Sequence, residues 1–312
     1  MAAPPPRVVA IVGPTASGKS EIAAEVARRA GAEIISADSV QVYRGLDIGS
    51  AKPGAELRRE IPHHAIDVVD PDDPMDAGRY ASLAREAARA IAARGRAIVL
   101  CGGSGLYARA FAGGLVSDVA SDPELRAELD ALDTAALYAE LERTDPDAAA
   151  KIPAENRVRV QRALEVQRLG GRPQSEQHAE HGFADRPFRV CWLALDVERD
   201  VLARRIETRT ERMFAQGLVE EVRSLHARGF GPGLRSLQTI GYREVGELLA
   251  GRLTEPEACA AMATATRRYA KRQRTWFRSE PGLNWLPADD AEAVVTRALT
   301  ELTESEPPKS DP

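Results

Sequence analysis

A chain of 312 residues, 44% of them apolar, can build one large domain or two smaller ones around a real core. Its 42 Lys and Arg stand against 47 Asp and Glu, a net charge of −5. That balance excludes attachment to nucleic acid by bulk charge and leaves only a local basic surface for such a partner.

The start, Met1 to Pro6, has no apolar h-region and does not read as a signal peptide. No apolar run approaches the ~20 residues that span a bilayer, so no membrane partner is expected. Cys101, Cys191 and Cys259 form no C-x-x-C pair and suit reduced thiols of a cytoplasmic protein.

Val8 to Val12 is short, apolar and β-branched, as a buried parallel strand should be. Gly13-Pro14-Thr15-Ala16-Ser17-Gly18-Lys19-Ser20 follows and fits G-x-x-x-x-G-K-[ST] at every fixed position. Glu21 to Ala30 is helix-forming. Strand, glycine loop and helix together make a phosphate-binding P-loop. Backbone N–H groups and the helix N-terminus face the anion, Lys19 adds a full charge, and the Ser20 hydroxyl can hold Mg²⁺. The motif alone does not say which phosphates bind or whether any is transferred.

Glu33 to Ser36 reads as a second strand that empties into Asp38 and Ser39. In open α/β sheets the carboxyl ends of strands face the ligand crevice, so Asp38 belongs on the rim of the P-loop. Acid–base work outweighs the alternative of a turn cap. Tyr43 to Pro53 has no clean period and reads as an ordered loop, and Ala65 to Val69 as another strand. Asp72-Asp73-Pro74-Met75-Asp76 spells D-D-x-x-D, a Mg²⁺–diphosphate pattern that needs a helix. Pro71 and Pro74 disfavour one, and Asp76 reads instead as the N-cap of a helix to Arg94.

Ala97 to Leu100 is a further buried strand. It ends in Cys101-Gly102-Gly103-Ser104-Gly105 where a P-loop NTPase would carry an acid; Asp67 and Asp70 remain substitutes. The glycine turn either lets a ligand approach the backbone or is a tight strand-to-helix turn capped by Ser104. Strand–helix alternation of this density predicts an α/β fold, a parallel P-loop NTPase-like sheet flanked by helices.

Helices dominate from Ser117 to Arg186, and Arg189 to Leu195 returns to strand. The simplest organisation is a core of residues 1–116 and 187–302, a helical insertion at 117–186, and a disordered tail at 303–312. The remainder of the core reads as helical: Glu198–Gln216, Leu218–Arg228, Ser236–Ala250, Glu255–Arg278 and Asp289–Thr303. Two basic clusters stand out, Arg157 to Arg172 and residues 262–279. In the second, Arg267, Lys271, Arg274 and Arg278 form a stripe beside Tyr269 and Trp276. Either cluster suits a nucleic-acid backbone or is simply a solvated helix face. Arg205, Arg209 and Arg212 could clamp phosphates or form ordinary helix-surface bridges. His63-His64, His178 and His181 lack metal-ligand spacing.

The P-loop and the long run Ile35-Ser36-Ala37-Asp38-Ser39-Val40-Gln41 through Lys52-Pro53 closely resemble the bacterial tRNA dimethylallyltransferase (tRNA isopentenyltransferase) family. The likeness continues through Pro62-His63-His64, Gly102 to Tyr107, Arg162-Ala163-Leu164-Glu165, Arg205 to Arg209, Thr239 to Arg243 and Lys271 to Trp276. It implies transfer of a dimethylallyl group from dimethylallyl diphosphate to N6 of the adenine 3′ of the anticodon. It also implies that the P-loop, Lys19, Arg209 and a Ser20-bound Mg²⁺ hold the diphosphate, and that Asp38 is the general base. Ser104, a threonine in most of the family, keeps the hydroxyl of a substrate contact. The residues implied to grip the anticodon stem-loop are Asp38, Ser39, Val40, Gln41, Ser104, Arg126, Arg159, Gln161, Arg162, Gln238, Thr239, Ile240, Gly241, Tyr242, Arg243, Lys271 and Arg274. A monomer is expected. A small-molecule kinase, a free-nucleotide isopentenyltransferase and a non-catalytic RNA-binding protein are the competing readings.

Overall fold

The computed structural model describes residues 4–114, 122–181 and 185–303. The chain forms two compact units, Met1–Ala112 with Pro187–Pro312, and Gly113–Arg186. The expected start of the insertion at 117 lies outside the described residues. So does the expected tail, apart from Thr303, and so do Met1 to Ala3 of the expected leaderless start.

The first unit opens with β1 (Arg7–Val12), α1 (Lys19–Ala30), β2 (Glu33–Ser36), α2 (Ala55–Glu60), β3 (His63–His64), α3 (Ala77–Ala93), β4 (Ile98–Gly102) and α4 (Gly105–Gly113). The second unit carries α5 (Pro123–Ala131), α6 (Thr134–Thr144), α7 (Pro146–Ala149), α8 (Arg157–Gly170) and α9 (Gln174–His181). The first unit resumes with β5 (Arg189–Asp196), α10 (Arg199–Ala215), α11 (Leu218–Ala227), a 3₁₀ turn at Arg235–Gln238, α12 (Tyr242–Leu249), α13 (Glu255–Arg278), β6 (Leu283–Pro287) and α14 (Ala291–Thr303).

The six strands form one parallel sheet in the order β3-β2-β4-β1-β5-β6. Strand β1 lies between β4 and β5, with Val12 level with Gly102 on one side and Ala194 on the other. Alternation along the strands divides the core in two. Val8, Ala10, Val12, Ile98 and Leu100 face α3, α4 and the α11–α13 helices. Val9, Ile11, Val99, Leu193 and Leu195 face α1 and α14. Helices on both faces of a parallel sheet put the ligand crevice outside the strands' carboxyl ends, here beside β1 where the chain order jumps.

Three expectations fail. Ala65 to Val69 is not a strand: Ala65 and Asp67 have φ of 59° and 55°, which no ladder accommodates. The turn aims the Asp67 carboxylate at Lys52 Nζ (2.6 Å) and Arg58 Nη1 (2.5 Å), and only Val69 pairs, as a lone bridge to Tyr43. Ser236 to Ala250 is not one helix. It breaks at Gly241, where φ is 95° and the N–H is taken by Glu244 Oε2 at 2.7 Å. The segment after Arg278 is not all helical either, since β6 adds an edge strand beside β5.

The second unit has its own apolar centre of Leu129, Leu137, Leu141, Val160, Ala163 and Leu164. Asp122, Asp133, Asp145 and Asn156 each cap a helix of this unit with a side-chain oxygen.

Candidate active site

The P-loop wraps the end of β1 as the sequence predicts. Gly13, Ala16 and Gly18 have φ of 148°, 62° and 94°, and these turns point successive N–H groups to one side. The N–H groups of Ala16, Gly18, Lys19 and Ser20 have no acceptor among the described residues. They open at the N-terminus of α1, whose dipole adds partial positive charge. Lys19 is half-buried, and its ammonium donates to the Pro14 carbonyl at 3.2 Å. Burial, with help from Arg209, draws it below the ordinary lysine range against the opposing pull of Asp38 and Glu21.

Arg209 reaches the loop from α10. Its Nη1 donates to Thr15 Oγ1 at 3.2 Å. Burial lowers its pKa, and Asp38 and Glu21 oppose the shift. Arg205 Nη1 lies 3.4 Å from the Ser17 carbonyl. Arg212, the third of this run, is exposed. Two of the three therefore meet at the loop, as a clamp requires.

Asp38 stands at the exit of β2, two strands from the P-loop strand. Its Oδ1 accepts the N–H groups of Val40 (2.8 Å) and Gln41 (3.3 Å). The cap is therefore present, while Oδ2 takes no hydrogen bond from the described residues. Strand β4 lies between β2 and β1 and ends in the glycine turn. Ser104 Oγ accepts the Ser39 N–H at 3.0 Å and lies 3.2 Å from Ser39 Oγ. Its hydroxyl orients the loop carrying Asp38.

The glycines beside Ser104 serve the protein's own packing. A Cβ on Gly102 would lie 2.1 Å from the Ala37 carbonyl oxygen, and one on Gly105 would lie 2.1 Å from the Trp276 ring. The close approach expected of a ligand there is made by neighbouring chain. The acidic substitutes for an NTPase metal acid are also committed elsewhere, Asp67 to Lys52 and Arg58, and Asp70 to Arg44. Asp76 caps α3 by accepting the Arg79 N–H at 2.8 Å, and Asp73 pairs with Arg79, so the D-D-x-x-D run builds no metal site. Among the described residues no group of three His, Cys, Asp or Glu could hold a metal ion.

Among the described residues the site therefore holds a row of open N–H groups with Lys19 and Arg209 at the end of β1, and the Asp38 carboxylate at the end of β2, with β4 between them. A family model described as IPP transferase matches residues 41–280. The chain belongs to the IPP transferase family. It is 46% identical over 284 residues to the tRNA dimethylallyltransferase of Geobacter sulfurreducens, covering 90% of this chain and 91% of that one. A solved tRNA isopentenylpyrophosphate transferase of Bacillus halodurans superposes with a TM-score of 0.70 at 37% identity, covering 95% and 96% of the two chains. A eukaryotic dimethylallyltransferase acting on tRNA superposes with a TM-score of 0.80 at 27% identity, covering 92% of this chain and 75% of its own.

In this IPP transferase several residues expected at an RNA surface are occupied within the protein. Tyr242 is 1% exposed; its ring fills the space beside Gly49 and its hydroxyl donates to Glu221 Oε1 at 2.7 Å. Gln41 bonds Ser36 Oγ and the Ser50 and Ala51 carbonyls. Ile240 packs on the core and Gly241 is buried in the helix break, while Thr239 Oγ1 donates to the Ser236 carbonyl. Arg274 ties α13 to β5 through Asp196 Oδ1 at 2.6 Å, and Arg267 ties it to Glu207 on α10. Arg268, Lys271, Arg272 and Arg278 are outward, and so are Gln238 and Arg243, which also bond the Pro232 carbonyl and Glu244. The basic stripe is thus half internal staple and half open surface.

The arginines of the second unit divide the same way. Arg126 and Arg162 both converge on Glu165, which is 1% exposed. Arg168 pairs with Glu140, and Gln161 Nε2 donates to Asp130 Oδ1. Arg159 is exposed.

Two residues of α13 hold a place at the site that the sequence does not reveal, where Tyr269 stands only as a neighbour of the basic stripe and Gln273 only as part of the Lys271 to Trp276 likeness. Tyr269 faces Ser104 and Gln273, and burial and Asp38 push its hydroxyl up to about 12. Gln273 is buried and bonds the P-loop directly, accepting the Thr15 N–H at 2.8 Å. The available signal was their four-residue spacing, which puts them on one face of α13.

Proposed function

We propose that this enzyme transfers a dimethylallyl group from dimethylallyl diphosphate to N6 of the adenine 3′-adjacent to the anticodon of tRNA. The observation that supports it most is the cradle of open N–H groups with Lys19 and Arg209 at the end of β1, and the open Asp38 Oδ2 at the end of β2, on the same carboxyl edge of the sheet. A leaving group and a proton acceptor are needed at one carbon–nitrogen exchange, and these residues suit both ends of it.

Heterolysis of the allylic C–O bond sends its electron pair onto the diphosphate. The free N–H groups of Ala16, Gly18, Lys19 and Ser20, with Lys19 and Arg209, are preorganised to stabilise that charge. The N6 lone pair forms the new C–N bond, and Asp38 Oδ2 takes the proton that N6 sheds. The Asp38 carboxylate is held in place by Val40 and Gln41, so little reorganisation is required. The adenine leaves the anticodon-loop stack to reach this crevice. The exposed Arg159, Gln238, Arg243 and Lys271 are the side chains proposed to meet the RNA backbone, with Arg126 and Arg162 held ready by Glu165.

The donor set suits Mg²⁺ brought in with the diphosphate. Ser20 offers one exposed hydroxyl, and Mg²⁺ keeps several waters and binds largely through phosphate oxygens. Ser20 would hold it, and its charge would further stabilise the leaving group.

The test is incubation with labelled dimethylallyl diphosphate and an anticodon stem-loop carrying adenine or guanine at the target position. Label on the adenine RNA alone supports the proposal. Consumption of ATP with no label on either RNA would favour a kinase.

A further inference from the structure

Gln273 sits where three pieces of the site meet. It projects from α13, is 6% exposed, and has both ends of its amide engaged. Oε1 accepts the Thr15 N–H of the P-loop at 2.8 Å, and Nε2 donates to the Gly103 carbonyl of the β4 turn at 2.8 Å. Gly103 has no room for a side chain because of it, since a Cβ there would lie 2.2 Å from Nε2. The next residue, Ser104, positions the loop of Asp38 through Ser39. Thr15 is held from its other side as well, with Arg209 on its hydroxyl.

One consequence concerns the number of phosphates. The loop's N–H groups divide into two sets. Those of Ala16, Gly18, Lys19 and Ser20 are free, whereas Ser17 turns inward to the Pro14 carbonyl and Thr15 is bonded to Gln273. The free set lies at the helix end of the loop. The Thr15 end, where a longer polyphosphate chain would continue, has its donor taken and a neutral amide packed on it. An uncharged amide offers a third phosphate no positive charge, unlike Lys19 and Arg209.

We propose that Gln273 is a positioning and specificity residue for the allylic diphosphate. It closes the Thr15 end of the cradle so that the loop accepts two phosphates rather than three, and it locks the cradle to the turn that orients Asp38. This rests on the diphosphate reading of the P-loop, but its test needs no turnover.

Binding of inorganic pyrophosphate and of inorganic tripolyphosphate, each with Mg²⁺, is measured by calorimetry on the full-length protein and on Gln273→Met and Gly103→Ala. Gln273→Met keeps the side chain's length and loses both hydrogen bonds. Gly103→Ala displaces the amide without changing it. The unsubstituted protein should prefer pyrophosphate by about tenfold or more, and both variants should shrink that preference by about tenfold, the scale of a lost hydrogen bond. In turnover, KM for the allylic diphosphate should rise about tenfold in both variants while KM for tRNA stays within about twofold, a split that general loosening of the fold would not produce. An unchanged pyrophosphate-to-tripolyphosphate ratio in both variants overturns the proposal, as does an equal loss on both substrates. Absence of prenyl transfer by the unsubstituted protein would instead remove the proposed reaction and leave the binding comparison standing.

Discussion

The Ser104 hydroxyl accepts the Ser39 N–H at 3.0 Å and so joins the end of β4 to the loop that carries Asp38. Removing it leaves a part-buried N–H without its partner. Ser104→Ala should cost about 1 kcal/mol of stability and lower turnover more than it raises either KM, because the loss falls on orientation. Ser104→Thr keeps the hydroxyl and should restore activity. Denaturant midpoints and steady-state kinetics of the pair check this.

Arg209 is the cation whose removal should act on the leaving group. Arg209→Ala loses both the charge proposed to face the diphosphate and the bond to Thr15 Oγ1. A fall in kcat/KM of about 10²–10³ is expected, the scale for losing one preorganised donor to developing charge. Pyrophosphate binding should weaken alongside it, and tRNA binding should not.

Gly102→Ala should disrupt the sheet itself. The added methyl would meet the Ala37 carbonyl oxygen at 2.1 Å, and backbone on both sides cannot give way cheaply. A destabilisation of about 3 kcal/mol, the upper range for overpacking, should show as a lower unfolding midpoint.

The second unit carries a buried carboxylate. Glu165 takes Arg126, Arg162 and the Asp122 N–H. Glu165→Ala removes the shared partner of two guanidinium groups that reach solvent and should cost about 1–3 kcal/mol in that unit, the scale of lost charge-assisted hydrogen bonds. It should also weaken tRNA binding without changing pyrophosphate affinity, and filter binding beside calorimetry separates the two.

Glu33 supplies a pH dependence of stability. Burial pushes its carboxyl up, but Arg94 and then His64 outweigh this and hold it below its ordinary 4.5. A depressed folded-state pKa stabilises the fold at pH values above the unfolded pKa, and that share is lost as pH falls through the folded value. The unsubstituted protein should therefore exceed Glu33→Gln in urea midpoint at about pH 6, and the difference should shrink as pH falls below the ordinary glutamate value.

The chemistry was the more legible half of this molecule in its sequence. The P-loop announces itself because glycines and a lysine at fixed spacing are needed for one backbone shape, and Asp38 follows from sitting at a strand's end. Ala65 to Val69 misleads because its composition is that of a strand. Its conformation is set by distant partners, Lys52 and Arg58, that make Asp67 adopt a positive φ. Strand β6 hides because an edge strand that is only partly buried needs no continuous apolar run, and Leu283-Asn284-Trp285 has none. Gln273 hides for the opposite reason. Among the arginines and lysines of α13 it reads as one more polar surface residue, and only the fold turns it inward onto Thr15.

The account stands most directly on Asp38 acting beside the phosphate cradle. Its measurement is the single-turnover rate of Asp38→Asn with both substrates saturating, together with the affinity of each substrate. Asparagine keeps an oxygen for the Val40 and Gln41 N–H groups and removes the proton acceptor. The account predicts a rate lower by about 10²–10⁴ with both affinities within about threefold. A rate equal to that of the unsubstituted enzyme, at unchanged affinities, would contradict it.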